Sequence, residues 1–290
     1  MCNYFIRSNP SDEVQVDKYL KLRWISGLQL KPSLLDGGPP ATIPSIVCAH
    51  LSNRRRRYTV HSFALNGYGD CLLYLLVQPY QYQRYAGLLE QSFRLRKRVF
   101  HDRLGWQVNV DHDLERDVYD DLGAVYLLWC DDDARSLYGT LRLMPTTGPT
   151  LLHDVFARTF PNTDLVAPSI WEGTRMCLDA ELLKKVAPTL SPSRAFGFLL
   201  LALCECSIAH GIETLVSNYE PQMGRVYRRA GLMVEEIGRA DGYGRFPVCC
   251  GIFDVCEETR QRMQRALRVT RPLYIPFSPE RSNTMAMPAL

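Results

Sequence analysis

Two hydrophobic periods alternate along this chain, and the switches between them mark out most of its elements. Leu72 to Val77 is a short apolar run of strand length, closed by Pro79. From Tyr82 to Val99 the period lengthens. Tyr85, Leu88/Leu89, Ser92/Phe93 and Arg96 recur on successive turns, which predicts a helix. Gly105 breaks it, Trp106 follows at once, and a long polar loop then carries Asp117 and Asp120. Val125 to Cys130 and Leu137 to Met144 read as a strand pair joined by a turn at Asp131-Asp132-Asp133. Leu151 to Phe160 reads as a short helix. Ile170 to Leu178 is strand-like and places Glu172 and, less cleanly, Arg175 along one strand.

The second half repeats the alternation. Ser191-Pro192-Ser193 is a helix start, with proline suited to the first turn. A strongly apolar helix follows through Phe196, Leu199/Leu200, Leu203, Cys204 and Ser207/Ile208, closed by Gly211. Leu215 to Tyr219 reads as a central strand, and Pro221 to Ala230 as a helix capped by Gly231. Met233 to Ile237 and Pro247 to Val255 read as strands, and Glu257 to Leu267 as a last amphipathic helix. Strands and helices interleaved in this way predict a three-layer α/β (α+β) sandwich, a mixed sheet flanked by helices.

Residues 1–70 hold no sustained period. Lys31 to Ser45 is rich in Pro and Gly, and Arg54 to Arg57 is an uninterrupted basic run. The run could be a nucleic-acid contact, but an exposed, flexible segment is the better account. The expected division is therefore an N-terminal extension over 1–70, one domain over 71–269 and a C-terminal tail over 270–290.

Composition narrows the picture. Hydrophobic residues make up 46% and charged residues 22% of the 290, ordinary for a globular protein. The net charge of +3 is too weak to argue for nucleic acid, and the basic excess lies entirely before residue 80. Ten cysteines form no C-x-x-C pair and the six histidines are scattered, so buried reduced thiols are expected rather than a metal site. The most apolar run, Ala195 to Cys204, is about half the length a membrane span needs. No secretory signal is visible in the charged first thirty residues, so a cytoplasmic protein without a membrane partner is expected.

The chemistry gathers between Phe93 and Asp120. Phe93, Arg96/Lys97 and Phe100 fall about a turn apart, so each turn offers an apolar and a cationic group. Read with residues further on, the series is Arg96, Phe100, Trp106, Asp117, Asp120, Arg142, Phe156, Glu172, Arg175. In order and spacing it resembles the signature of the acyl-homoserine lactone synthases, the LuxI-type autoinducer synthases. The likeness runs from about Leu72 to about Leu267 and implies the fold of the GCN5-related N-acetyltransferases. It further implies that S-adenosylmethionine is a substrate and that no cofactor is needed. Its α-amine would be acylated from a thioester, either acyl-acyl carrier protein or acyl-coenzyme A, and lactone closure would expel methylthioadenosine.

Against those steps the residues take expected roles. An amine attacking a thioester needs a base, and Glu172 with Arg175 beside it is the catalytic candidate. Arg96, Phe100 and Trp106 are expected to hold S-adenosylmethionine, a cation for its carboxylate and aromatic rings for its sulfonium. Asp117, Asp120 and Arg142, with Arg96 and Arg175, are expected to form an ion-pair network that shapes the pocket. Phe156, Leu200, Leu203, Ser217 and Tyr219 are expected to line the acyl-chain pocket. A generic N-acyltransferase is the rival reading. Its Q/R-x-x-G-x-G/A phosphate loop finds only a poor match in Ser193 to Gly197. A nucleic-acid binder acting through Arg54 to Arg57 would leave the ordered series unexplained.

Overall fold

The computed structural model describes residues 73–160, 164–243 and 246–276. The expected extension over 1–70, with its basic run, and most of the tail lie outside them. The strands are β1 (Leu73–Val77), β2 (Val110–Asp111), β3 (Leu114–Glu115), β4 (Val125–Cys130) and β5 (Leu137–Pro145). After them come β6 (Ile170–Leu178), β7 (Thr214–Tyr219), β8 (Glu235–Ala240) and β9 (Val248–Asp254). The α-helices are α1 (Ala86–Arg96), α2 (Leu151–Asp154), α3 (Ala180–Val186), α4 (Pro192–Ala209), α5 (Met223–Arg229) and α6 (Glu257–Leu267).

Seven strands form one sheet in the order β1-β4-β5-β6-β7-β9-β8, and β2 pairs with β3 alone. All neighbours are antiparallel except β6 and β7. The β4–β5 hairpin closes as the sequence implies. Asp131 Oδ1 accepts from the amides of Arg135 at 2.6 Å and Ser136 at 3.1 Å, which holds the turn. A parallel pair needs a long crossover, and α3 and α4 supply it between β6 and β7. This expected class, a mixed sheet flanked by helices, is what the chain adopts.

The parallel pair is short. Only Ile170↔Thr214, Trp171↔Leu215 and Glu172↔Val216 are in register. Beyond them β6 continues to Leu178 beside β5 alone, and β7 continues to Tyr219 beside β9 alone. The sheet therefore splits, and the split opens one residue past Glu172. Unpaired edges inside a sheet leave room that only side chains or a ligand can fill.

Hydrophobic layers cover both faces. On one face α4 packs with α5 and α6, and Phe198, Leu199, Leu201, Ala202 and Cys206 are buried on several sides of it. A helix apolar around its whole circumference belongs in a core. By length and composition α4 could cross a membrane, but most of it is buried inside this domain. Its start follows the sequence: Ser191 Oγ accepts from the Arg194 amide at 3.3 Å, and Pro192 takes the first turn. Gly197 is needed for close approach, since a Cβ there would lie 2.6 Å from Leu267 of α6. Leu273 and Tyr274 join this same core, held by their amides on the buried Glu205 at 2.6 and 2.9 Å. The packed domain thus reaches past the expected boundary at residue 269.

On the other face α1 lays Leu88, Leu89, Phe93 and Leu95 against Tyr126, Leu128 and Met144. A smaller cluster of Leu152, Phe160, Leu165, Val216 and Cys250 continues it under β7 and β9. Six of the seven described cysteines are buried free thiols, and Cys256 is exposed.

Candidate active site

The site begins where α1 ends. Its last turns widen into a π-helical stretch, Lys97–Arg103, in which the Leu104 amide reaches back to the Val99 carbonyl at 3.0 Å. Gly105, at φ +66°, then turns the chain, and the Trp106 amide returns to the Phe100 carbonyl at 2.8 Å. This tight exit stacks Phe100 on Trp106, with ring centroids 4.9 Å apart and planes 28° from parallel. The polar stretch after it is not one loop. It folds as the β2–β3 hairpin and a 3-10 turn, Val118–Asp121, pieces too short for any period to betray.

Those short pieces deliver three carboxylates to three arginines. Arg96 donates Nη1 and Nη2 to the two oxygens of Asp120, each at 2.8 Å, and Nε to Glu115. Arg142 donates to both oxygens of Asp117, to Asp120 Oδ1 at 3.0 Å, and through Nε to Thr174 Oγ1 at 3.1 Å. Arg175 donates Nε to Glu115 at 3.1 Å and Nη2 to Asp117 at 3.0 Å. The Tyr126 hydroxyl adds a bond to Asp120 at 2.7 Å. Charges buried together must cancel, and here three cations meet three anions. Burial alone would push the Asp120 carboxyl up, but the Arg96 hydrogen bonds and the charges of Arg96 and Arg142 hold it well below the usual range.

The expected network is therefore present, with Glu115 as a member that sequence reading missed. Counting charge could have found it, because Asp117 and Asp120 alone do not balance three arginines. Arg96 has to be corrected. It was expected to meet substrate, but it is 1% exposed, all its guanidinium nitrogens are engaged, and it does not line the cavity. Its work is to hold Asp120 and Glu115 beneath the pocket.

Arg175 reaches this network through a bulge. Residues three apart on a regular strand point to opposite faces. Between the pairs Thr140↔Cys177 and Arg142↔Thr174, β6 carries one residue more than β5. Arg175 takes the extra place at φ +56°, which turns it onto the face of Glu172. Its guanidinium lies 5.7 Å from the centre of the Phe100 ring.

Glu172 sits at the last paired position before the split and is 1% exposed. Its two oxygens close no hydrogen bond, though they face the amides of Leu151 and Leu152 at the start of α2. Burial pushes its carboxyl up to about 7, against the opposing pull of Arg142, those amides and Arg175. A carboxylate half ionised near neutrality is suited to take a proton and return it.

One cavity of about 1030 Å3 runs through the split and joins these groups. Phe100, Trp106, Phe156, Glu172 and Arg175 line one end, and Leu200, Leu203, Leu215, Ser217 and Tyr219 the other. Trp106 Nε1 is buried at its wall with no partner, a donor available to a ligand. Phe156, expected among the acyl-chain residues, lines this same cavity, belongs to the hydrophobic cluster that holds Phe100 and Trp106, and lies 5.0 Å from the Tyr243 ring. Ser217 does face the cavity, with its hydroxyl donated to the Gly173 carbonyl at 2.9 Å across the split. Among the described residues no group of three or more His, Cys, Asp or Glu could hold a metal ion.

A split sheet with a buried base at the split, a charged and aromatic wall on one side and an apolar branch on the other defines a transferase that moves an acyl group. The chain belongs to the autoinducer synthase family, whose sequence profile matches residues 80–263. It is 37% identical over 190 residues to an acyl-homoserine-lactone synthase of Rhizobium etli, covering 63% of this chain and 86% of that one. Among solved structures it resembles the CoA-dependent acyl-homoserine lactone synthase MesI, with TM-score 0.59, 25% identity, and 69% and 98% of the two chains covered. The fold is shared also with the CoA-dependent synthase BjaI, solved with SAM and isopentyl-CoA, at TM-score 0.60 and 24% identity, covering 69% of this chain and 92% of that one.

Proposed function

We propose that this chain acylates the α-amine of S-adenosylmethionine from an acyl thioester of coenzyme A or acyl carrier protein. The acylated product then closes to an acyl-homoserine lactone with release of methylthioadenosine. The observation that carries the reading is Glu172, a buried carboxyl pushed up to about 7 that stands at the opening of the split and lines the cavity shared by the polar and apolar groups. Phe100 and Trp106 offer a stacked aromatic wall for a sulfonium, and Arg175 a cation beside it for the carboxylate. Glu172 takes the amine proton as the C–N bond forms and the thiol departs. Lactone closure needs no acid, since a sulfonium already leaves readily. It needs the carboxylate folded onto the γ-carbon, which is a matter of shape.

The apolar end suits a medium to long acyl chain along Leu200 and Leu203. Ser217 gives its single proton to Gly173, so toward a chain it can only accept. That favours an unsubstituted or 3-hydroxy chain over a 3-oxo one. Both substrates are cytoplasmic metabolites, and we place the reaction in that compartment. The test is purified full-length chain with S-adenosylmethionine and, separately, acyl-coenzyme A and acyl carrier protein donors, read by mass spectrometry. An acyl-homoserine lactone from either donor supports the reading. Acylation of some other amine alone would replace it with a general N-acyltransferase.

A further inference from the structure

Asn218 Oδ1, on the wall of the same cavity, is a buried acceptor with no hydrogen-bond partner, and the reaction so far gives it no task. Hydrogen-bond direction fixes which way this amide points. The Thr159 hydroxyl donates its one proton to the Phe156 carbonyl at 2.7 Å. Toward Asn218 it can therefore only accept, and Asn218 Nδ2 donates to it at 2.9 Å. The NH2 end is thereby tied to Thr159 and the oxygen is left as the free end.

Its place in the fold aligns it with the base. Glu172 pairs with Val216, and Asn218 stands two residues further along β7, on the same face and just inside the split. Two residues of strand span about 7 Å, so one nitrogen making hydrogen bonds of about 3 Å to each side chain fits between them. Asn218 Oδ1 has no partner and Glu172 faces only the Leu151 and Leu152 amides without closing a bond to them, so a group seated between the two is favoured if it brings N–H or O–H donors. An ammonium group is the small cation that brings several.

We propose that Asn218 is a second holder of the attacking amine, an inference that rests on the acyl-transfer reading above. Its Oδ1 accepts one N–H while Glu172 removes the proton from the same nitrogen, which directs the lone pair across the split to the thioester carbonyl. That first proton leaves Glu172 for solvent and frees a neutral amine. As its nitrogen attacks, the C–N bond forms, the C–S bond breaks with its electron pair leaving on sulfur, and the second N–H proton passes through Glu172 to the thiolate. Asn218 positions and selects the amine and exchanges no proton.

The test uses Asn218→Leu and Asn218→Asp in the full chain. S-adenosylmethionine and methylthioadenosine affinities are measured by calorimetry, and kcat and KM for both substrates across pH. Losing a hydrogen bond to a charged donor should lower kcat/KM for S-adenosylmethionine about 10-fold or more in the leucine variant. The KM for the acyl donor and the affinity for methylthioadenosine, which lacks the amine, should stay within about twofold. Asp keeps an acceptor, so its variant should retain S-adenosylmethionine affinity. It should also move the acid limb of kcat to higher pH, because a second carboxylate raises the Glu172 pKa. An equal loss of methylthioadenosine binding would put Asn218 on the nucleoside and overturn the proposal. So would an unchanged leucine variant, which would leave Asn218 only a support for Thr159. If the leucine variant does not fold, an aspartate variant with an unmoved acid limb overturns it. Wild-type chain that binds no S-adenosylmethionine defeats the acyl-transfer reading itself, a failure visible before either variant is made.

Discussion

On the side of β6 facing α1, the cavity wall rests on Arg96, Arg142 and Arg175 buried against Glu115, Asp117 and Asp120. On the side facing α4 it rests on Leu200, Leu203 and Leu215, where the polar atoms are few. The first wall is held by directed bonds, each group bonded to more than one other. The second is held by contact area, which has no direction. Directed bonds fix positions to a fraction of an ångström but fail together, whereas packing yields a little at a time. In the proposed reaction the reacting atoms would lie against the rigid wall, and the variable part of the substrate against the forgiving one.

The comparison predicts unequal damage, and the largest is in the network. Asp120→Ala leaves Arg96 and Arg142 short of a partner in a dry site and should cost about 3–5 kcal/mol, measured by denaturant unfolding. A loss below about 1 kcal/mol would show that this wall is no more brittle than a surface. Because the folded-state pKa of Asp120 is depressed, its contribution is fully present above the unfolded value of 3.8 and is lost as pH falls through the folded one.

A cut into the apolar side should cost less. Leu199→Ala, at a fully buried α4 position, should lose about 2–4 kcal/mol. Leu200→Met, which keeps the volume, should lose under about 1.5 kcal/mol and shift only the preferred chain length. Equal losses for Leu200→Met and Asp120→Ala would erase the distinction between the walls. Trp106→Ala should weaken S-adenosylmethionine binding by about one to two orders of magnitude and spare the acyl donor, as titration of each would show. The reverse pattern would mean that the two ends of the cavity are interchanged. The smallest change is Ser217→Ala, at about 1 kcal/mol and under about tenfold in acyl selectivity on a panel of donors. A strong 3-oxo preference in the wild type would contradict the donor geometry of that hydroxyl.

The same contrast separates what could be read in the sequence from what could not. Strands β1, β4, β5 and β6 and helix α4 were legible because each sustains one period for most of its length. Helix α3 was missed: seven residues give too few apolar repeats to announce a helix. The β2–β3 hairpin, with two residues a strand, has no period at all. Leu151 to Phe160 read as one helix, but the α-helical part is only Leu151–Asp154, and Ala157–Thr159 forms a separate 3-10 turn. Most site residues were legible through their ordered resemblance to the family, which says which residues matter and not which way they face. Arg175 shares a face with Glu172 only because of a bulge with positive φ, which no spacing rule foresees. Arg96 was placed with the substrate because a cation on a helix face looks the same whether it meets a ligand or a buried carboxylate. Asn218 carried no signal, since its meaning depends on Thr159, far from it in sequence.

Glu172 as the base is tested most directly by the pH dependence of the acylation step. With the carboxyl pushed up to about 7 in the free protein, wild-type kcat/KM for the acyl donor and S-adenosylmethionine should rise through an acid limb centred near that value. Glu172→Gln keeps the shape without the basicity, so acylation should fall by about two to four orders of magnitude and the limb should vanish. The variant should remain folded. Raising the folded pKa above the ordinary 4.5 makes ionised Glu172 a burden on stability that grows from that value up to about pH 7 and is constant beyond it. The variant should therefore be at least as stable as wild type at pH 8. Product formation within about threefold of wild type, with the acid limb in place, would remove Glu172 from the chemistry and contradict the account.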